Sequence, residues 1–146
     1  MQRVTSCILS IDGQEYSRIG YGMLILLGIE DADTSEDTEW LTGKIAGLRI
    51  FDDDQGVMNL DINEIEGDVM VVSQFTLHAN IRKGNRPSYT KSARPDVAKP
   101  FYEAFIQSIE ERLGRNVATG QFAAHMEIAL VNDGPVTIII DTKNRE

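Results

Sequence analysis

The chain has little with which to crosslink itself. Its 146 residues include one cysteine, Cys7, and two histidines, His78 and His125. A lone cysteine cannot close an internal disulfide, and within an apolar strand it behaves as a small hydrophobe. The histidines lie far apart and outside any metal-ligand spacing, so no metal and no other cofactor is expected. No apolar run approaches the roughly 20 residues needed to cross a bilayer, so no membrane partner is expected. The opening Met1-Gln2-Arg3-Val4-Thr5-Ser6 has no signal-peptide core, and the expected compartment is the cytosol. Cations are scarce as well. Fourteen Lys and Arg against 23 Asp and Glu leave a net charge of −9, which argues against a general nucleic-acid coat.

Familiar hydrolase and nucleotide motifs are also missing. There is no G-x-S-x-G nucleophile elbow and no glycine-rich phosphate cradle of the P-loop or dinucleotide type. A serine–histidine–aspartate triad could be drawn only by free choice among scattered residues. The aspartate cluster Asp52-Asp53-Asp54 invites a calcium reading, which fails on spacing. Counted from Asp52, the sixth position is Val57 and the twelfth is Asn63, where a calcium loop needs Gly and a carboxylate. A charged turn between two strands is expected instead.

What is present is unevenly distributed. Thirteen acids lie between Glu30 and Asp68, against Lys44 and Arg49. From His78 to Pro95 there are no acids, but Arg82, Lys83, Arg86, Lys91 and Arg94. Composition leaves two readings of that stretch: a solvated loop, or a local phosphate-contacting strip that positions one nucleic acid on a repelling body.

The length suits one compact domain spanning residues 1–146, and no repeat or linker divides it. Val4–Ile11 and Gln14–Ile19 read as strands around an Asp12-Gly13 hairpin turn. The continuous apolar run Met23–Ile29 suits a fully buried strand. Thr34, with Asp37 three residues on, caps a helix whose apolar face is Leu41, Ile45 and Leu48. Leu48–Phe51 and Asp68–Leu77 read as further strands. A second helix over Val97–Leu113 stops at Gly114, with Pro100 expected close to its start. Two last strands, Glu127–Val131 and Val136–Ile140, should flank an Asn132–Pro135 turn. The expected fold class is therefore α+β: an antiparallel or mixed, barrel-like sheet with two main helices packed outside.

Two segments stand out from this ordinary pattern. Ser73-Gln74-Phe75-Thr76 places polar groups at the end of a very apolar strand, and Asn132-Asp133-Gly134-Pro135-Val136-Thr137 joins the final strands. Alone, each could be a strand leaving the core or a tight hairpin. Together and in this order they resemble the D-aminoacyl-tRNA deacylase family. Supporting matches are Gln2-Arg3-Val4, Ile19-Gly20, Arg49-Ile50-Phe51, Met58-Asn59-Leu60, Arg86-Pro87-Ser88-Tyr89, Thr119-Gly120 and Phe122-Ala123. The resemblance covers nearly the whole chain.

The resemblance implies a homodimer whose active sites lie at the subunit interface and cleave the ester between a D-amino acid and the terminal adenosine of tRNA. Gly134 and Pro135 would form a Gly–cis-Pro chirality gate inserted into the partner's pocket, braced by Arg3. A main-chain wall there would reject L-amino acids by clash and leave the side chain unread, so glycine would also pass. Ser73, Gln74, Phe75 and Thr76 would line the catalytic pocket, with backbone N–H groups near Phe75 and Thr76 holding the developing oxyanion. Phe122 would contact the adenine, and Arg82, Lys83 and Arg86 would touch tRNA. Thr76 is the obvious nucleophile candidate, but no base is visible to activate it. Attack by water, assisted by the terminal ribose 2′-hydroxyl, is the favoured reading. Relatives begin several residues earlier, which leaves Arg3 near an end expected to fray. Two rivals remain: a non-catalytic nucleic-acid-binding dimer, which usually carries a basic tail not seen in Asp141–Glu146, and a small-molecule esterase using Thr76.

Overall fold

The computed structural model describes residues 1–146 and contains eight strands and two α-helices. In chain order they are β1 (Gln2–Ile11), β2 (Gln14–Ile19), β3 (Gly22–Leu27), α1 (Ser35–Ala46), β4 (Phe51–Asp52), β5 (Met58–Leu60), β6 (Asp68–Ser73), α2 (Pro95–Leu113), β7 (Ala118–Thr119) and β8 (Glu127–Thr137). The main sheet has the order β2-β1-β3-β6-β7, and β8 pairs with β1 on its other side. Pairings among β1, β2, β3 and β8 are antiparallel, whereas β3–β6 and β6–β7 are parallel. The sheet is therefore mixed. It curls until β2 meets β7, where Ser17 Oγ donates to the Thr119 carbonyl at 2.8 Å, so the barrel is nearly closed.

Period-two alternation decides which core each side chain joins. On β3 and β6, Met23, Ile25, Leu27, Val69 and Val71 face the helices, while Leu24, Met70 and Val72 face the barrel interior with Val4, Cys7, Leu9 and Ile19. Both faces of these central strands are buried, which is why their sequences are unbroken apolar runs. Burial also pushes the Cys7 thiol pKa up, consistent with a packing role. Gly22 is demanded by close approach: a Cβ there would sit 1.8 Å from the Asp68 carbonyl oxygen across the β3–β6 pair.

The helices form one layer over this sheet. The Thr34 N–H donates to the Asp37 carboxylate at 2.9 Å, completing the expected capping box of α1. Thr42 Oγ1 and Ser108 Oγ, 2.8 Å apart, join α1 to α2. Tyr102 on α2 donates its hydroxyl to the Val71 carbonyl at 2.8 Å, and burial pushes its pKa up to about 12. Helix α2 begins at Pro95, two residues before the expected start, so Pro100 lies inside it rather than at its first turn. The structure tolerates this because Pro100 and Asp96, whose carbonyl loses its donor, are exposed.

Three further boundaries differ from expectation. Leu48 lies beyond α1, and the strand expected at Leu48–Phe51 is the short β4, hairpinned to β5 around the aspartate cluster. Asp53 organises that turn, accepting from the Gln55 and Val57 N–H groups at 2.9 and 3.0 Å. The strand expected to run to Leu77 ends at Ser73, and Phe75–His78 is a 3-10 turn. The largest correction concerns the last two strands, which are one. β8 runs through Asn132–Pro135, and its pairing partner steps from Asn132 opposite Val4 to Thr137 opposite Gln2. The intervening residues bulge from a strand that stays paired on both sides, so no hairpin is needed.

Candidate functional site

Ser73 ends β6 beside Leu27 of β3, and the Gln74 N–H donates to the Leu27 carbonyl at 2.8 Å. The chain then tightens into the 3-10 turn, in which the first internal donor is the Leu77 N–H, bonded to the Gln74 carbonyl at 3.3 Å. The Phe75 and Thr76 N–H groups precede it and have no acceptor within the turn. Thr76 is exposed, and its hydroxyl accepts from the Gln74 side-chain amide. No carboxylate or imidazole hydrogen-bonds to it. His78, two residues on, spends Nδ1 on Glu30 at 3.2 Å and buries Nε2 without a partner. The site therefore offers main-chain donors and polar side chains, with no activated nucleophile.

Phe122 follows β7, whose Thr119 pairs with Val71 in a parallel register. Both strands thus exit at the same edge of the sheet, and Phe122 leaves that edge on the same side as Ser73. It packs half-buried against Tyr102, with ring centroids 5.9 Å apart. The next residue, Ala123, has φ of +63°, a left-handed conformation unusual for a side chain with a Cβ.

Gly134 and Pro135 lie elsewhere. Both are exposed on the β8 bulge, their peptide bond is cis, and Gly134 has φ of +118°. A Cβ on Gly134 would lie 2.8 Å from Val136 Cγ2 and 3.2 Å from Arg3 Nη2, so glycine is required twice over. Asn132 Nδ2 donates to Thr137 Oγ1 at 3.2 Å across the neck of the bulge. Arg3 supports it from beneath. Its side chain is nearly fully buried, reaching Asp133 Oδ2 at 3.0 Å, Asp52 Oδ1 at 3.1 Å and the Ile50 carbonyl at 2.8 Å. The expected fraying is absent: Gln2, Arg3 and Val4 pair with β3, and Met1 exchanges two backbone bonds with Ile138.

The chain brings Ser73–Thr76 and Phe122 to one end of the sheet and Arg3, Gly134 and Pro135 to the other. Arg3 lies opposite Met23, whereas Ser73 lies opposite Leu27. Those positions are four residue steps apart along β3, roughly 13 Å at about 3.3 Å each. A cavity of 510 Å³ between the end of β3, α1 and residues 137–143 contains none of these residues. Arg82, Lys83 and Arg86 are exposed in the loop that follows the 3-10 turn, and none forms an ion pair. That loop is anchored by an Asn80–Ser88 bridge and by Tyr89 against Phe75. Sequence reasoning named neither of Arg3's carboxylates, Asp133 and Asp52, because only the fold brings β4 and the bulge together around it.

The family model described as D-Tyr-tRNA(Tyr) deacylase matches residues 1–141, which include both motifs. The chain belongs to that family. Relatives named D-aminoacyl-tRNA deacylase from Flavobacterium johnsoniae, Parabacteroides distasonis and Porphyromonas gingivalis are 54%, 59% and 58% identical to this family member. The matches cover 99–100% of this chain and 97% of each relative. A solved structure of a c-Myc DNA Unwinding Element Binding Protein superposes with a TM-score of 0.87 at 35% identity, covering 94% of this chain and 93% of that one. A probable eukaryotic D-amino acid tRNA deacylase superposes with a TM-score of 0.78, covering 92% of each chain, and at 19% identity it speaks for the fold alone.

Proposed function

We propose that this deacylase-family chain hydrolyses the ester joining a D-amino acid to the terminal adenosine of tRNA, and that it does so as a homodimer. The observation that carries the reading is full-length likeness, at 54–59% identity, to proteins named for that activity, in a chain presenting both motifs at its surface. The separation of the motifs within one chain favours a composite site. Ser73–Thr76 and Phe122 of one copy would hold the ester and adenosine, and Gly134–Pro135 of the other would face the substrate's α-carbon. Arg3 would hold that gate through Asp133. Bare main chain at Gly134 would exclude an L-side chain by clash while leaving a D-side chain unread, and glycyl-tRNA would pass for the same reason.

The free N–H groups of Phe75 and Thr76 suit the developing oxyanion. Thr76 has no base at hand, so its hydroxyl and Gln74 position the ester while water attacks. The adjacent ribose 2′-hydroxyl of the tRNA would assist that attack. Arg82, Lys83 and Arg86 would contact backbone phosphates.

The test uses D- and L-tyrosyl-tRNA, each also prepared with a 2′-deoxy terminal adenosine. The D-ester should be lost selectively, and removal of the 2′-hydroxyl should slow that loss greatly. Equal hydrolysis of both enantiomers would sink the gate, and undiminished turnover of the deoxy substrate would restore Thr76 as nucleophile. Binding without hydrolysis would favour the nucleic-acid-binding reading, to which the DNA-binding name of the 35%-identical structure lends its one support.

A further inference from the structure

Phe75 stands apart from the other phenylalanines. Phe51 and Phe105 are buried, Phe101 and Phe122 half-buried, but Phe75 exposes 57% of its surface. Against it stands Tyr89, 37% exposed, with ring centroids 5.1 Å apart and planes at 77°. Main-chain pairing steers Phe75 out of the core: it opens the 3-10 turn just after β6 has ended. Tyr89 is held in place by the Asn80–Ser88 bridge beside it, where the Asn80 N–H donates to the Ser88 carbonyl at 2.7 Å and the Ser88 N–H to the Asn80 carbonyl at 2.9 Å. An edge-to-face pair fixed in this way keeps ring surface open to solvent at little further cost in entropy.

The surroundings indicate what would cover that surface. Arg82, Lys83, Arg86 and Lys91 lie in the same loop, exposed and without a carboxylate partner. No acid occurs between His78 and Pro95, on a chain whose net charge is −9. Exposed rings beside free cations match a ligand with flat apolar faces on a polyanionic backbone, which is single-stranded nucleic acid. A duplex hides its base faces, and Phe75 shares its 3-10 turn with Thr76 of the segment proposed to hold the terminal ester, so the complementary part of a tRNA here is its unpaired 3′ end. We propose that Phe75 and Tyr89 form a stacking platform for an unpaired base just upstream of the terminal adenosine. The proposal rests on the tRNA reading above and adds a subsite distinct from Phe122, which packs against Tyr102 instead.

The experiment places a fluorescent pyrimidine at each unpaired position of the tRNA 3′ end in turn, and measures quenching on binding alongside KM and kcat for D-tyrosyl-tRNA. Wild type and Tyr89→Trp should quench one position. Tyr89→Leu, which keeps the apolar bulk without the ring, should lose that quench. It should also raise KM about tenfold, the scale of one stacked base, with kcat nearly unchanged. Quenching retained at that position in Tyr89→Leu, or no quenched position in wild type, would overturn the platform. So would a switch of that variant from dimer to monomer in sedimentation velocity, since the rings would then cover a second copy of this chain. Absence of wild-type hydrolysis would refute the deacylase reading separately, because quenching is read without turnover.

Discussion

Arg3 shows how one side chain can act as a joint. Its guanidinium ties strand β1 to the β4 hairpin through Asp52 and Ile50, and to the bulge through Asp133. A buried cation with two carboxylates and two carbonyls is costly to leave half-paired, so its geometry is strongly determined. The sequence motif names Arg3, but its partners come from segments 49 and 130 residues away. Ala123 carries strain of another kind. Its φ of +63° costs an L-residue about 1 kcal/mol, which glycine would avoid apart from its larger entropy loss on folding. Ala123→Gly should therefore be neutral or stabilising by up to about 1 kcal/mol in urea unfolding. A clear loss of stability would show that packing of the Ala123 methyl outweighs the strain.

At the scale of elements, helix α1 is held at its N-terminus by residues remote in sequence. Lys143 Nζ lies 2.7 Å from Asp37 and 3.4 Å from Asp33, and Arg145 stacks over Trp40 at 4.6 Å. The Lys143 hydrogen bond, aided by the capping bonds from Thr34, holds the Asp37 carboxyl well below its usual pKa. A depressed folded pKa contributes stability above the unfolded value of about 3.9, and that contribution fades as pH falls through the folded value. Wild-type melting temperature should thus drop as pH falls below about 4, and Asp37→Asn should lose part of that dependence while starting lower at pH 7. Parallel acid profiles in the two proteins would contradict the assignment. The box itself was legible because Thr34 and Asp37 are local, whereas the Lys143 clasp depends on where the C-terminal segment returns.

At the scale of the molecule, the two motifs lie at opposite ends of β3, so the composite site proposed above would need two copies of the chain. Specific activity should fall on dilution in step with dimer dissociation followed by sedimentation. Activity that stays constant per chain through dissociation would place a complete site in one subunit. The charge asymmetry bears on binding at the same scale. Arg82→Ala with Lys83→Ala should weaken tRNA binding and reduce the slope of log affinity against log salt by about 2, since each cation would neutralise one phosphate. An unchanged slope would return both residues to solvent. Local chemistry alone was enough for much of this protein. Apolar runs marked β3 and β6, caps and glycine stops marked the helices, and the motif residues carried the family resemblance. Those signals are short-range, set by periodicity, capping and main-chain sterics. Long-range pairing decided the remainder. Asn132–Pro135 looked like a hairpin because Gly-Pro ordinarily breaks a strand, yet β1 holds β8 on both sides of it and turns the break into a bulge. The two motifs are likewise joined in the proposed function but far apart in one chain, and only the parallel register of β3 with β6 places them at opposite ends of the sheet.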